Sequence, residues 1–143
     1  MKDKQKGKIG NWPILIIAAV IIGGIYFLVP NTKTLPPTDI QGHIEMSPPS
    51  HILKEPMSIS VQKHMLEHAD GRGPPGVVIN YNCKDYTCED GLIEKLEAFA
   101  KRYNHVYVAP FPKMDAKIAL TKYGKIEILD NYDEKRIESF IVK

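Results

Sequence analysis

The chain has 143 residues, 43% of them hydrophobic, which is room for one domain plus an anchor and too little for two sizeable cores. Its formal net charge of +2 hides a split. Lys2, Lys4, Lys6 and Lys8 against Asp3 leave the first eleven residues at +3, while the remainder carries 15 basic and 16 acidic side chains. That nearly neutral remainder has no basic stripe with interleaved aromatics, which excludes nucleic acid as a partner.

Residues 1–11 read as a basic cytoplasmic tail. Residues 12–29, from Trp12 to Val29, hold 18 side chains without a charge. As a helix they would span about 27 Å, close to the hydrocarbon thickness of a bilayer. Trp12 and Tyr26 suit the two interfaces, and Pro13 and Gly23-Gly24 are tolerated in a membrane helix. A cleaved signal peptide is the competing reading. No small-x-small pattern precedes Pro30, and no cysteine offers a lipid attachment site, so an uncleaved single-pass anchor in the lipid bilayer is expected. With the lysines held inside, residues 30–143 lie outside the cytoplasm, where cysteines are oxidised.

Residues 30–57 carry Pro30, Pro36, Pro37, Pro48, Pro49 and Pro56, a density that prevents helix and disfavours central strand. The segment reads as an extended arm, and its composition alone would make it a spacer. A spacer has no need of His43, Met46 and His51. A proline-stiffened arm laid on a domain can deliver side chains to a fixed place, because little chain entropy is left to lose.

Residues 58–143 read as one α/β domain. A short helix is expected over Ser60–Ala69, with Val61, Met65 and Ala69 at four-residue intervals, His64 and His68 on the neighbouring stripe and Asp70-Gly71 as the stop. After the Gly/Pro loop 71–76, Val77–Tyr81 suits a buried strand. Leu92, Ile93, Leu96, Phe99, Ala100 and Tyr103 follow helical spacing, with Thr87 or Asp90 as the expected cap. Val106–Ala109 makes a second strand. Ile118, Leu120, Ile126 and Ile128 alternate around Lys122-Tyr123-Gly124-Lys125 as a hairpin. Asp133 opens a closing helix with Ile137, Phe140 and Ile141 inside.

The order β-α-β-β-β-α resembles the core of a thioredoxin-like domain, with the first βαβ unit parallel. Cys83 and Cys88 fall between the first strand and its helix, where that fold does its chemistry, and Cys88 is expected near a helix N-terminus, which favours thiolate. Pro112 precedes the third strand, as a proline does in thioredoxin-like proteins. The spacing is Cys-x4-Cys and not Cys-x2-Cys, so a structural disulfide, Cys83–Cys88, is placed ahead of a catalytic dithiol. Such a bridge would add on the order of 2 kcal/mol.

Four of the five histidines, His43, His51, His64 and His68, crowd into one stretch. They are ordinary surface and cap residues on one reading, and the four ligands of a metal site on another. Four neutral imidazoles suit copper or zinc, and Met46 and Met65 would soften the site toward cuprous copper. A third reading takes His64-x-x-Glu67-His68 as the inverted zinc-peptidase pattern with Glu67 as general base, though the chain is small for a peptidase cleft. His105, isolated at a strand start, is expected to cap or pack.

The residues also resemble a family of membrane-anchored prokaryotic domains of unknown function that carries G-x-x-H, P-P-T-S-G-x-H and H-x-L-E-H-G elements. Ile40-Gln41-Gly42-His43, Pro48-Pro49-Ser50-His51 and His64-Met65-Leu66-Glu67-His68 look like the three elements in turn. The threonine and glycine of the second are missing, Ala69 replaces the last glycine, and residues 70–76 look inserted. The resemblance implies the architecture and the histidine set, and names no reaction.

The expectation is an α/β (α+β) domain, a small mixed sheet with flanking helices behind one transmembrane helix, which binds copper or zinc through His43, His51, His64 and His68 without a catalytic residue. The alternatives are a non-catalytic subunit of a larger membrane protein complex, and a thioredoxin-like thiol or copper-delivery protein.

Overall fold

The computed structural model describes residues 32–143. The basic tail and the expected membrane anchor lie outside the described residues, and among the described residues no helix is long and apolar enough to cross a membrane. Lys33–Lys143 form one compact unit that includes the proline-rich arm.

Alternating and β-branched apolar runs produce a four-stranded mixed sheet of β1 (Val77–Tyr81), β2 (Val106–Pro110), β3 (Ile118–Lys122) and β4 (Lys125–Leu129). Its order is β2-β1-β3-β4, with β1 parallel to β2 and antiparallel to β3, and β4 antiparallel to β3. The β3–β4 hairpin turns on Tyr123-Gly124, with Gly124 at φ 69°. Every residue of β1 is buried because both faces of the sheet are covered.

One face packs Val77, Ile79, Val108, Ile118 and Leu120 against two helices. These are α2 (Leu92–Arg102), which contributes Leu92, Leu96 and Phe99, and α3 (Glu134–Val142), which contributes Ile137, Phe140 and Ile141. The other face packs Val78, Tyr107 and Ala109 against Val61, Met65 and Leu66 of α1 (Ile59–Glu67). A buried polar seam runs under α1. Gln62 Nε2 donates to Asn80 Oδ1 at 2.7 Å, and Thr121 Oγ1 donates to the Val78 carbonyl at 3.3 Å. Hydrogen bonds buried in this way fix the helix's position on the sheet.

The arm is extended and bonded to the domain at several points. Thr34 bridges Met114, and the Gly124 N–H donates to the Thr38 carbonyl at 2.7 Å. His51–Leu53 lies parallel along the outer edge of β2, where the Val108 N–H donates to the His51 carbonyl at 2.8 Å and the Leu53 N–H to the Val108 carbonyl at 2.9 Å. That edge is thereby closed to other strands.

Two boundaries differ from expectation. Helix α1 stops at Glu67, and His68 stands at its C-cap in extended conformation (φ −141°, ψ 108°). The loop takes over the last carbonyls: the Gly76 N–H donates to the Met65 carbonyl at 2.9 Å, and a Cβ on Gly76 would meet that oxygen at 2.5 Å. A 3-10 turn, Ala69–Gly71, follows with Asp70 at φ 56°. At the other site, neither Thr87 nor Asp90 caps α2. Gly91, left-handed at φ 75°, precedes Leu92 without a side-chain cap, so Cys88 sits four residues ahead of the helix and not at its N-terminus.

Candidate metal centre

Helix α1 supplies two donors, His64 and Glu67, three residues apart and therefore on one face. The arm supplies two more. Lys63 Nζ donates to Asp39 Oδ1 at 2.7 Å and to the Gln41 carbonyl at 2.8 Å, while the Ile44 N–H donates to the Ser60 carbonyl at 3.4 Å. These bonds hold the turn at Ile40–His43, with Gly42 at φ 73°, over the start of the helix. Beyond it the chain bends at Glu45, where the Met46 N–H donates to the Ile44 carbonyl at 2.7 Å, and the Glu45 carboxylate meets the His43 ring.

The result is a cluster in which ligand atoms of His43, Glu45, His64 and Glu67 all lie within 4.8 Å of one another. His43 Nε2 is 2.8 Å from Glu45 Oε1 and 3.1 Å from Glu67 Oε2, and His64 Nδ1 is 3.8 Å from Glu45 Oε2. The His43 and His64 rings stack with centroids 5.5 Å apart.

Hydrogen-bond inventory shows what the cluster lacks. His43 Nδ1 is 2.8 Å from the Ile40 carbonyl, which can only accept, so the proton sits on Nδ1. Nε2 then faces two carboxylates, and that position calls for a positive charge, either a second proton or a metal ion. The bond to Ile40, followed by that to Glu45, raises the His43 pKa, and the His43 bond lowers that of Glu45. Deeper in, His64 Nδ1 is buried with no hydrogen-bond partner, and Glu67 Oε2, 3.1 Å from His43 Nε2, is buried without a well-aligned one. Such orphaned groups are costly unless something binds them.

The four expected histidine ligands are divided by the structure. His43 and His64 come together. His68 is adjacent but outside the set, its ring edge-on to His64 at 6.2 Å and its Nε2 3.7 Å from Glu67 Oε1, because the helix ends before it. His51 has other contacts: Nδ1 donates to the Val106 carbonyl at 3.0 Å and Nε2 to Asp70 Oδ1 at 2.9 Å, and the ring stacks on Tyr107 at 4.3 Å. Both nitrogens are engaged by these partners, which hold the ring away from the cluster. Met65 is in the apolar core and Met46 is exposed. Glu45 joins the set through the bend that turns its carboxylate to His43 and His64, and no spacing in the chain marks it.

Cys83 and Cys88 form a disulfide with Cα atoms 5.4 Å apart. Asn82 organises the same loop. Its Nδ2 donates to the Met114 carbonyl at 2.9 Å, and its Oδ1 accepts from the Lys84 and Asp85 N–H groups at 3.2 and 3.1 Å. Pro112 is exposed, and His105 packs edge-on to Tyr103 at 6.0 Å.

Residues 43–143 match the sequence model of a family described as Protein of unknown function (DUF3105). All four cluster residues fall inside that match. No curated protein and no solved structure matches the chain.

Proposed function

The chain belongs to the family described as Protein of unknown function (DUF3105), and from that premise we propose that it binds a divalent transition metal, zinc, through His43, His64, Glu67 and Glu45. The domain is held outside the cytoplasm by the anchor at 12–29. The observation that carries the reading is the buried, unpartnered Nδ1 of His64 in a set of two imidazoles and two carboxylates whose ligand atoms lie within 4.8 Å of one another. Two carboxylates balance the charge of a dication, and two imidazoles complete four donors, the usual number for zinc. The ion would take the place of the second His43 proton, and the Ile40 carbonyl would orient that ring from behind.

Two carboxylates are hard donors, and Met65 is in the core, so zinc is favoured over cuprous copper. Donors about 2 Å from a tetrahedral zinc stand roughly 3.3 Å from one another, so pairs now within 4.8 Å close by up to about 1.5 Å, shared between two side chains that can each turn about their rotatable bonds. The test is metal content of the full-length chain purified in detergent and dialysed against zinc. Roughly one ion per chain is expected, falling to background in His64→Ala and in Glu67→Ala. Equal content in all three proteins, or none in the wild type, defeats the reading.

One further observation favours a second reading. The sheet order β2-β1-β3-β4 and the position of the disulfide between β1 and α2 suit a thioredoxin-like thiol protein. The Cys-x4-Cys spacing and the distance of Cys88 from the helix favour a structural bridge. Alkylation before and after mild reduction separates the two, since a working dithiol reduces readily and a structural one resists.

A further inference from the structure

The four donors are anchored very unequally. His64 is 2% exposed on α1, and Glu67 follows it on the same helix at 28%. His43, at 24%, is tied to the Ile40 carbonyl through its own Nδ1. Glu45 is 77% exposed, and its carboxylate meets only the two imidazoles, at 2.8 Å and 3.8 Å. Its backbone is the centre of a three-residue turn in which the Met46 N–H donates to the Ile44 carbonyl at 2.7 Å. Its neighbours Ile44 and Met46 are both exposed, so nothing covers Glu45 on the solvent side.

We infer that Glu45 is the exchangeable ligand of this site, and that zinc enters and leaves on its side while His43, His64 and Glu67 retain their hold. The inference rests on the metal reading above. The other three are held more firmly: His64 is buried, Glu67 keeps its Oε2 atom buried, and the His43 ring must break its bond to the Ile40 carbonyl to turn away. Glu45 has only to rotate into water, where its carboxylate is solvated at once. With Glu45 turned away, His43, His64 and Glu67 would hold the ion through two imidazoles and one carboxylate, three donors that would leave a position for a further ligand. An incoming thiolate, imidazole or carboxylate binds there before the remaining three release, so no bare ion is set free and no electron moves. A closed structural zinc site lacks this open side. The site therefore suits a metal that is passed on to an acceptor carrying free donor groups.

The experiment uses zinc-loaded full-length protein in detergent with 4-(2-pyridylazo)resorcinol as the acceptor. The transfer rate of the wild type is expected to rise in proportion to acceptor concentration. Glu45→Gln, which keeps the shape and weakens the donor, is expected to bind zinc at saturation and release it about tenfold faster, while Glu55→Gln, an exposed carboxylate elsewhere on the arm, releases it at the wild-type rate. An acceptor-independent rate, or equal rates in Glu45→Gln and wild type when both are loaded, overturns the inference and leaves the metal reading intact. Absence of zinc from the wild type overturns both.

Discussion

His43 and His51 belong to the same arm and use their nitrogens in opposite ways. His43 keeps one nitrogen turned toward two carboxylates, whereas His51 gives both to acceptors and latches the arm to Asp70 and Val106. His51→Ala is therefore expected to lower stability by about 1–3 kcal/mol in denaturant melts and to leave zinc content unchanged. His64→Ala should show the reverse dependence, with lost metal as its main effect. Beneath His51, the Tyr107 hydroxyl donates to Asp70 Oδ1 at 2.9 Å and accepts from the Asp70 N–H at 2.8 Å, holding Asp70 at positive φ. Burial, opposed by the Asp70 N–H bond, pushes the Tyr107 phenol up to about 12. A folded pKa above the unfolded value of about 10 favours the fold fully below pH 10 and loses that contribution as pH rises through 12. Phenolate absorbance should accordingly show a late component in alkaline titration, absent in Tyr107→Phe. If Tyr107→Phe keeps that component, the assignment is wrong.

At the level of elements, the helices and strands follow local pattern, and their ends follow contacts made from elsewhere. Asp133 caps α3, accepting from the Arg136 N–H at 3.1 Å, and its preference for that position is a property of its own side chain. Asp133→Ala should cost about 1 kcal/mol, read as a lower denaturation midpoint. The start of α2 is not legible in local pattern because the Leu92 N–H goes to the Glu89 carbonyl at 3.1 Å, and Glu89 is itself held from elsewhere by Lys117 and the Tyr132 N–H. For the same reason the end of α1 was read too late: Gly76 claims the Met65 carbonyl, and this turns His68 off the helix. Cys83→Ser/Cys88→Ser is expected to lower stability by about 2 kcal/mol with zinc content unchanged. Loss of zinc together with the bridge would tie the two loops more closely than their positions suggest.

Across the whole molecule the arm is a structural layer. It covers the outer edge of β2, contributes Met57 to the core cluster under α1, and pairs Lys54 with Glu97 of α2. Removing residues 33–57 is expected to expose that edge and that cluster, giving a chain that aggregates and melts without cooperativity, and deleting His43 and Glu45 abolishes zinc binding. A truncated chain that melts as sharply as the parent would reduce the arm to a spacer.

Among the described residues, apolar periodicity by itself determined the mixed α/β class, the four strands and the three helices, because burial selects a face locally and the face recurs every two residues in a strand and about every 3.6 in a helix. Proline density determined that the arm is extended. Only tertiary structure decided which histidines meet, since neither His43 nor His51 carries in its own spacing a sign of what it lies against in the fold. The Lys63 clamp brings one over α1, and the edge of β2 takes the other. Glu45 entered the site for the same reason. Its side chain carries no pattern of its own until a folded arm sets it beside a buried imidazole that has no other partner.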